Sequence, residues 1–403
     1  MTVPSSSGSH NNIATPGTKP NSKRRGRGAS IVLGVVLVGV VIAAVVLGGG
    51  AETNDGRENG GSARAGLTSV HGVIGSEKRG FFEDSEVVER FAELGYEVSV
   101  STAGSRKIAT GVDVAAQDFV SPSSAPASQK VLEQVAGASV EYPFFSPMAV
   151  ASWHTIADIL LKEGVVREEG GAYVLDVGAY VDLARSGARW RDLSEAFPSP
   201  RSVQIRSTDI RTSNSAAMYL SLLAWEFAER DSARADDAGY LIGEISPFFT
   251  GQGYSESTSS GPFDEYLAQG MGAAPLVMVY EAQFVGEQLR PNSRIRNDMV
   301  LLQLSPTVLA NHGIVGVTEE GKEIGRLLTH DEKLQKLAAR HGFRPATAGS
   351  LAEEMEARGL APPTDYINSV DPPHYDRLEK LIDGIGTRYG VIAPPPAEEE
   401  TEQ

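Results

Sequence analysis

Residues 96–124 read YEVSVSTAGSRKIATGVDVAAQDFVSPSS, and this stretch decides the fold class. Tyr96 to Ser101 alternates as a strand, and Thr102-Ala103-Gly104-Ser105 turns it into a short helical segment around Ile108. Asp118 to Val120 is a second short strand that ends in Ser121-Pro122-Ser123-Ser124. Upstream, Leu67 to Ile74 is a buried-strand candidate broken by Gly75-Ser76, after which Val87, Val88, Phe91 and Leu94 recur at helical spacing until Gly95. Strand, helix, strand, helix, strand is the signature of a parallel sheet covered by helices.

The middle of the chain continues in this style. Val140 to Val150 reads as extended, with Pro143 and Pro147 suiting a crossover or an edge more than a central strand. Trp153, Ile156, Ile159 and Leu160 share one helical face up to Gly164. Val203 to Arg206 reads as a strand, Ser213 to Phe227 as an amphipathic helix, and Leu276 to Tyr280 as a buried strand, which together predict a second α/β lobe. Thr329-His330-Asp331-Glu332 reads as a capping box opening a helix that turns Leu334, Leu337 and Ala338 inward.

Composition narrows the function. The chain has 403 residues, with 36 Lys plus Arg against 52 Asp plus Glu. Residues 1–30 hold five basic residues and no acidic one, so residues 51–403 carry 31 basic and 52 acidic side chains, a balance of -21. Such a body repels a phosphate backbone, which excludes nucleic acid as its partner. Cysteine is absent, so disulfide scaffolds, thiolate metal sites and thiol nucleophiles are excluded.

Between Arg27 and Glu52 lie 24 uncharged residues, and Ile31 to Leu47 is an almost unbroken apolar run. About 20 apolar residues span the hydrocarbon layer, so residues 31–50 predict one transmembrane helix. Lys23, Arg24, Arg25 and Arg27 before it keep the N-terminus cytoplasmic and send the acidic body across the membrane. A signal peptide cleaved near Gly49-Gly50-Ala51, giving a secreted body, is the alternative. Residues 1–30 read as a disordered basic tail, 51–66 as a linker and 394–403 as a disordered acidic tail.

Catalytic signatures fail one by one. No Gly-Lys-Ser or Gly-Lys-Thr follows the glycines at 72, 75 and 80, no Gly-x-Ser-x-Gly elbow occurs, and no histidine lies in His-Glu-x-x-His. An exported hydrolase would need a nucleophile that no motif supplies. The expectation is a protein without enzymatic activity, cofactor or metal. What stands out is the content of four turns: Gly75-Ser76, Ser101 to Ser105, Ser121 to Ser124, and Ser207 to Ser215. Each could be ordinary cap and turn chemistry. In an open α/β sheet, however, such turns gather at the carboxyl ends of the strands, where helix N-termini offer free N–H groups to a ligand.

These residues resemble a known family. Val73-Ile74-Gly75-Ser76 after the first strand, then Val98 to Gly111, then Asp118-Phe119-Val120-Ser121, are similar to the opening lobe of type II periplasmic solute-binding proteins, nearest to the molybdate and sulfate branch. Arg189-Trp190-Arg191-Asp192-Leu193, followed by Ser207 to Ser215, resembles that branch's Trp-x-Asp-Leu and its Pro-x-Thr-Ser-Gly-Gly helix start, and Leu276 to Glu281 resembles a later strand that reaches the ligand. The resemblance covers about Leu67 to Arg344. It implies an α/β fold of two lobes joined by a hinge, with lobe 1 in residues 67–147, lobe 2 in 148–300, and 301–393 returning to lobe 1 and ending in helices.

Carried onto this sequence, the resemblance implies that Ser76, Ser101, Thr102, Ser105 and Ser124 line one wall of a ligand cleft, and Thr208, Ser213, Asn214, Ser215 and Tyr280 the other. Asp209 and Glu281 fall among them and depart from a pure oxyanion site, because an unpaired carboxylate in a closed cleft repels an anion. Paired, they leave an oxyanion open; unpaired, they favour a cation, an amine or a sugar. The expected role is a membrane-anchored extracytoplasmic protein that captures a small polar solute for an ABC-type permease or as a sensor. The alternative is a cell-envelope interaction protein with the same fold and no high-affinity small ligand. The doublets Phe81-Phe82, Phe144-Phe145 and Phe248-Phe249, and Trp190, read as packing.

Overall fold

The computed structural model describes residues 66–252, 259–345, 350–361 and 368–389, which belong to one compact unit, Arg64–Gln403. The expected tail, membrane helix at 31–50, nearly all of the linker and the acidic C-terminus lie outside the described residues. No helix among the described residues is long and apolar enough to cross a membrane.

The opening stretch folds as its pattern predicts. β1 (Thr68–Ile74), β2 (Tyr96–Thr102) and β3 (Phe119–Ser121) are parallel, with β1 in the middle. Between them run α1 (Ser85–Glu93) and α2 (Ser105–Thr110), and α3 (Ala125–Leu132) follows β3. The Asp84 carboxylate caps α1 by accepting from the Glu86 N–H, and Gly95 with φ 93° ends it. Val88, expected on the buried face, is 38% exposed, so the contact face of α1 is narrowed to Val87 and Phe91.

β4 (Ser139–Trp153) is the longest strand. It leads into α4 (His154–Lys162), the hairpin of β5 (Val166–Glu169) and β6 (Ala172–Asp176), and α5 (Val177–Arg185). Then come α6 (Asn214–Arg230), α7 (Ala238–Thr250), α8 (Ser260–Gln269), β7 (Val277–Tyr280) and α9 (Glu281–Leu289). β8 (Met299–Ser305) and β9 (Thr307–Gly316) precede α10 (Glu319–His330) and α11 (Glu332–Arg340). β10 (Arg344–Pro345), α12 (Ser350–Ala357), β11 (Ser369–Val370) and α13 (Tyr375–Gly386) complete the described chain. The sheet runs β2-β1-β3-β9-β4-β8-β6-β5, with β7 and β10 joining β4 and β11 joining β9.

β4 corrects the reading of Val140 to Val150 as a crossover or edge. It is central, pairing β9 along Ser139 to Pro147, then β7 and β8 from Met148 onward. Pro143 is tolerated because the register breaks between Glu141 and Phe144, which takes it out of the ladder, while Pro147 stays paired opposite Leu309. Val203 to Arg206 forms a single isolated bridge, Arg206 to Val277, with a second, Arg189 to Ser202, just before it. Its backbone bonding is divided: the Val203 and Arg206 N–H groups donate to the Ala188 and Leu276 carbonyls and the Arg206 carbonyl accepts from Met278 N–H, whereas the Ile205 N–H donates to the Tyr180 hydroxyl at 2.9 Å and, just beyond, the Ser207 N–H to Gln252 Oε1 at 2.7 Å. The expected capping box is also displaced. Thr329 stays inside α10 with its hydroxyl donating to the Gly325 carbonyl, and Asp331 alone caps α11 by accepting from Leu334 N–H at 3.0 Å.

Burial follows the strand period of two. Val70, Ile74, Phe119 and Ile314 face a cluster with α1, α10 and α11, whereas Val73, Val120 and Val315 face another with α2 and α3. The largest cluster gathers β7, β8 and the Met148–Trp153 end of β4 with α4 to α8, and Leu378, Leu381, Ile382 and Ile385 of α13 pack into it. Phe81, Phe82, Phe144, Phe248, Phe249 and Trp190 are all buried in these clusters.

Candidate functional site

A cavity of about 80 Å³ lies where the turns after β1 and β2 face the start of α6 and the end of β7. One wall is Gly75, Ser76 and Glu77 after β1, with Thr102 to Ser105 after β2; the other is Ser213, Asn214, Ser259 and Tyr280. The walls touch. Asn214 Nδ2 donates to the Ser123 carbonyl and to the Tyr280 hydroxyl, each at 3.0 Å. Gly104 approaches so closely that a Cβ there would stand 2.6 Å from the Thr212 carbonyl oxygen, so this position of the turn accepts only glycine without displacement.

Sequence-predicted residues divide into two groups. Ser76, Thr102, Ser105, Ser213, Asn214 and Tyr280 come together around the cavity. Thr208 and Ser215 are buried behind it, their hydroxyls 2.8 Å apart, with the Ser213 hydroxyl 3.1 Å from Ser215. Ser124 borders a separate space of about 20 Å³ beside Arg106, Tyr375 and Glu379. Ser101, opposite Val73 on β2, is exposed and does not reach the cavity, because successive strand side chains point to opposite faces.

The two carboxylates that departed from the family pattern are both neutralised. Asp209 is held by its near neighbour Arg211, whose N–H, Nε and Nη2 all donate to it, with Nη2 to Oδ2 at 2.5 Å. Burial raises the Asp209 carboxyl, but the Arg211 guanidinium and backbone N–H prevail and hold it below its ordinary range. Glu281, buried at the start of α9, receives a two-pronged pair from Arg344, Nε to Oε1 at 2.6 Å and Nη2 to Oε2 at 2.9 Å.

The charges that do reach the cavity went unread in the sequence. Glu77 lines it, and behind Glu77 lie the wholly buried Lys78 and His312. Lys78 Nζ donates to Glu77 Oε1 at 2.5 Å, to Ser123 Oγ at 2.9 Å and to His312 Nδ1 at 3.2 Å, while the Ser123 hydroxyl donates to Glu77. Three acceptors match the three protons of an ammonium. Burial works against the charge of Glu77, yet the Lys78 ammonium holds its carboxyl well below the usual range. Burial also lowers Lys78, opposed by Glu77. Burial first and the Lys78 charge second push His312 down to about 4, so it is neutral near pH 7. With Nδ1 accepting from Lys78, the imidazole proton sits on Nε2, which has no partner among the described residues. The legible signal was Glu77-Lys78, adjacent opposite charges directly after Gly75-Ser76; His312, deep in β9, carried none.

Helix geometry adds donors. The N-cap Ser213 makes no side-chain cap bond to α6, and Gly104 cannot cap α2, so the first N–H groups of both helices have no capping side chain at the cavity edge. Tyr280, pushed well above its ordinary range by burial and the nearby Glu77, keeps its proton. The site is therefore rich in donors, contains one ionised acceptor in Glu77, and has no group of three or more potential ligands for a metal among the described residues. Ser76 and Glu77 also border a more open recess of about 330 Å³.

No family model and no curated protein sequence matches this chain. Solved structures do. A periplasmic thiamin binding protein superposes with a TM-score of 0.51 at 12% identity, over 80% of this chain and 96% of that one. The periplasmic binding protein AfuA from Actinobacillus pleuropneumoniae, with exogenous fructose-6-phosphate bound, gives 0.50 at 10% identity, over 80% and 99%. The sulfate-binding protein SubI from Mycobacterium tuberculosis H37Rv gives 0.45 at 16% identity, over 80% and 98%. At these identities the likeness is one of fold: this chain has the mixed α/β sheet architecture of periplasmic binding proteins.

Proposed function

We propose that this chain is an extracytoplasmic solute-binding protein, anchored through residues 31–50, that captures a small polar ligand between two lobes and passes it to a permease or reports it as a sensor. Lobe 1 takes in residues 67–147 and the return segment with β9, α10 and α11; lobe 2 takes in residues 148–300, with α13 lying against its core. The observation that carries this reading is the meeting of turns from both sides at one cavity, through the Asn214 contact to Ser123. A ligand held there would add bonds across the same boundary and favour closure.

Among the described residues no histidine bonds the hydroxyl of Ser76, Ser105 or Ser213, and the buried His312 is turned to Lys78 and Glu77. The fold of the thiamin and fructose-6-phosphate binding proteins supports a role in ligand binding without naming the ligand.

A thermal-shift screen of the full chain in mild detergent tests this function, using oxyanions, amino acids, polyamines, sugars and divalent metals. A ligand at 100 times its dissociation constant stabilises by about 2.7 kcal/mol, which raises the midpoint by a few degrees. A folded protein that responds to none of them is instead an envelope interaction protein.

A further inference from the structure

α13 ends against α7. Just past its last turn, Arg388 Nη1 donates to the Ile242 carbonyl of α7 at 3.2 Å, and the Tyr389 ring lies 4.6 Å from the Arg211 guanidinium carbon. Next to Ile242 on α7, Gly243, Glu244 and Pro247 line a recess of about 430 Å³ together with Val203 and Phe248. This recess runs into a larger one of about 760 Å³, the two sharing Ser202, Gln204 and Gly251. They form one groove with an apolar end at Val203, Pro247 and Phe248 and a basic end at Arg189, Arg201 and Arg206.

The carboxylates along this groove are taken. Glu244 pairs with Arg185 at 2.9 Å and Glu265 with Arg206. Arg189 and Arg201 differ from Arg185 and Arg206. Arg189 Nη1 donates to the Pro200 carbonyl at 2.5 Å and Arg201 Nη1 to the Ala273 carbonyl at 2.8 Å, and no carboxylate bonds either one among the described residues. A backbone carbonyl positions a guanidinium without neutralising it, and the remaining N–H groups keep the fork that pairs a carboxylate. In a body whose balance is -21, two such arginines side by side in one recess call for an acidic partner.

The chain supplies one. After Gly390 it reads Val391-Ile392-Ala393, then Pro394-Pro395-Pro396, then Ala397-Glu398-Glu399-Glu400-Thr401-Glu402, with no basic residue. Apolar, then proline, then acidic is the order in which a chain leaving Tyr389 meets the groove. Prolines form an extended helix that needs no backbone partner, which suits an apolar channel. The nine residues from Tyr389 to Glu398 span up to about 30 Å, against a helix diameter of about 10 Å to be crossed at α7. The crossing is open at Gly243, where a Cβ would meet nothing within 4 Å. Such a segment has no core of its own and gains order only against a surface. Being tethered, it meets the groove at an effective concentration in the millimolar range, so weak exposed ion pairs suffice.

We propose that residues 391–402 fold back across α7 and occupy this groove, Val391 to Pro396 along its apolar end and the glutamates on Arg189 and Arg201. The strap holds α13 to α7 and closes the groove to acidic segments of other molecules. It stands apart from the cavity at Asn214, and either reading survives the failure of the other.

The test is digestion of the full chain in mild detergent with a protease that cuts after glutamate, followed by intact mass. At low salt, loss of the tail should be at least about tenfold slower in wild type than in Arg189→Ala/Arg201→Ala, since cleavage follows the population of the released tail. At about 1 M salt, where screening acts within about 3 Å, the two should be cut alike. A second variant leaves the groove intact: with Glu398, Glu399, Glu400 and Glu402 all changed to glutamine, hydrogen exchange at the amides of Val391, Ile392 and Ala393 should be at least about tenfold faster than in wild type. Equal cleavage of wild type and the arginine variant at low salt overturns the proposal, as does unchanged exchange in the glutamine variant. Protection that grows with protein concentration also overturns it, because the tail then lies in the groove of a second copy.

Discussion

Asn214 Nδ2, at the first residue of α6, lies 3.0 Å from the carbonyl oxygen of Ser123, 91 residues earlier in the chain in the turn after β3. The same nitrogen reaches the Tyr280 hydroxyl at the end of β7. One amide group thus joins three turns that sequence separates widely, and it does so at the cavity edge.

Asn214→Ala removes both bonds. Each neutral hydrogen bond contributes about 1 kcal/mol, so ligand affinity should fall by roughly tenfold to thirtyfold, with the fold retained. Calorimetry gives the affinity, and small-angle scattering should report a larger radius of gyration for the unliganded variant. An unchanged radius and affinity would show that the contact does not govern closure.

Gly104→Ala acts on the same boundary from the other side. Gly104 has φ -66°, so alanine is unstrained there, but its Cβ would press on the Thr212 carbonyl oxygen at 2.6 Å. The expected outcome is a wedge: affinity at least about tenfold weaker, or 1.4 kcal/mol, with a denaturation midpoint close to wild type. A variant that binds normally would mean the Thr212 segment yields freely.

The Glu281 and Arg344 pair is a matter of stability. Their side chains are 2% and 12% exposed, and Arg344→Met would leave a buried carboxylate without its guanidinium. That should cost about 3 to 5 kcal/mol in urea unfolding. Glu281→Leu combined with Arg344→Met should recover most of the loss, because the penalty lies in a buried carboxylate that has lost its guanidinium. A double variant as unstable as the single one would refute this account.

Acid sensitivity should begin at the histidines. His312 is neutral in the folded state down to about 4 but takes up a proton near its ordinary value of 6.5 when unfolded. Between these limits the unfolded chain binds more protons, so stability falls as pH falls from 6.5 toward 4. His341, lowered by burial against the pull of Asp84, adds to the same window. Glu77, held well below 4.5, keeps its stabilising charge through that window and loses it only at lower pH. Midpoints measured from pH 7.5 to 4 should decline less steeply in His312→Gln than in wild type; an identical slope would place the titration elsewhere.

How much was legible follows the range of the interactions. β1, α1, β2 and β3 were readable because alternation, helical spacing and turn glycines are local, and each agrees with its neighbours. β4 was misread because prolines argue against a central strand unless a register break, visible only against β9, removes one from the ladder. Val203 to Arg206 looked like a strand, yet only Arg206 bridges to β7, and the Ile205 N–H goes to the hydroxyl of Tyr180, distant in sequence.

By itself the sequence determined the parallel strands that open the sheet, the hydroxyl-rich turns at their ends and the acidic charge of the body, since all of these depend on residue type and near spacing. Only the tertiary structure decided the charge of the site. Whether Asp209 and Glu281 were paired was open until Arg211 and Arg344 closed on them, and Glu77 became the acceptor at the cavity only when Lys78 and His312, from β1's turn and from β9, were buried behind it. The physical reason is that a carboxylate's influence is set by its nearest counter-charge and its distance from water, and both are properties of three-dimensional neighbours.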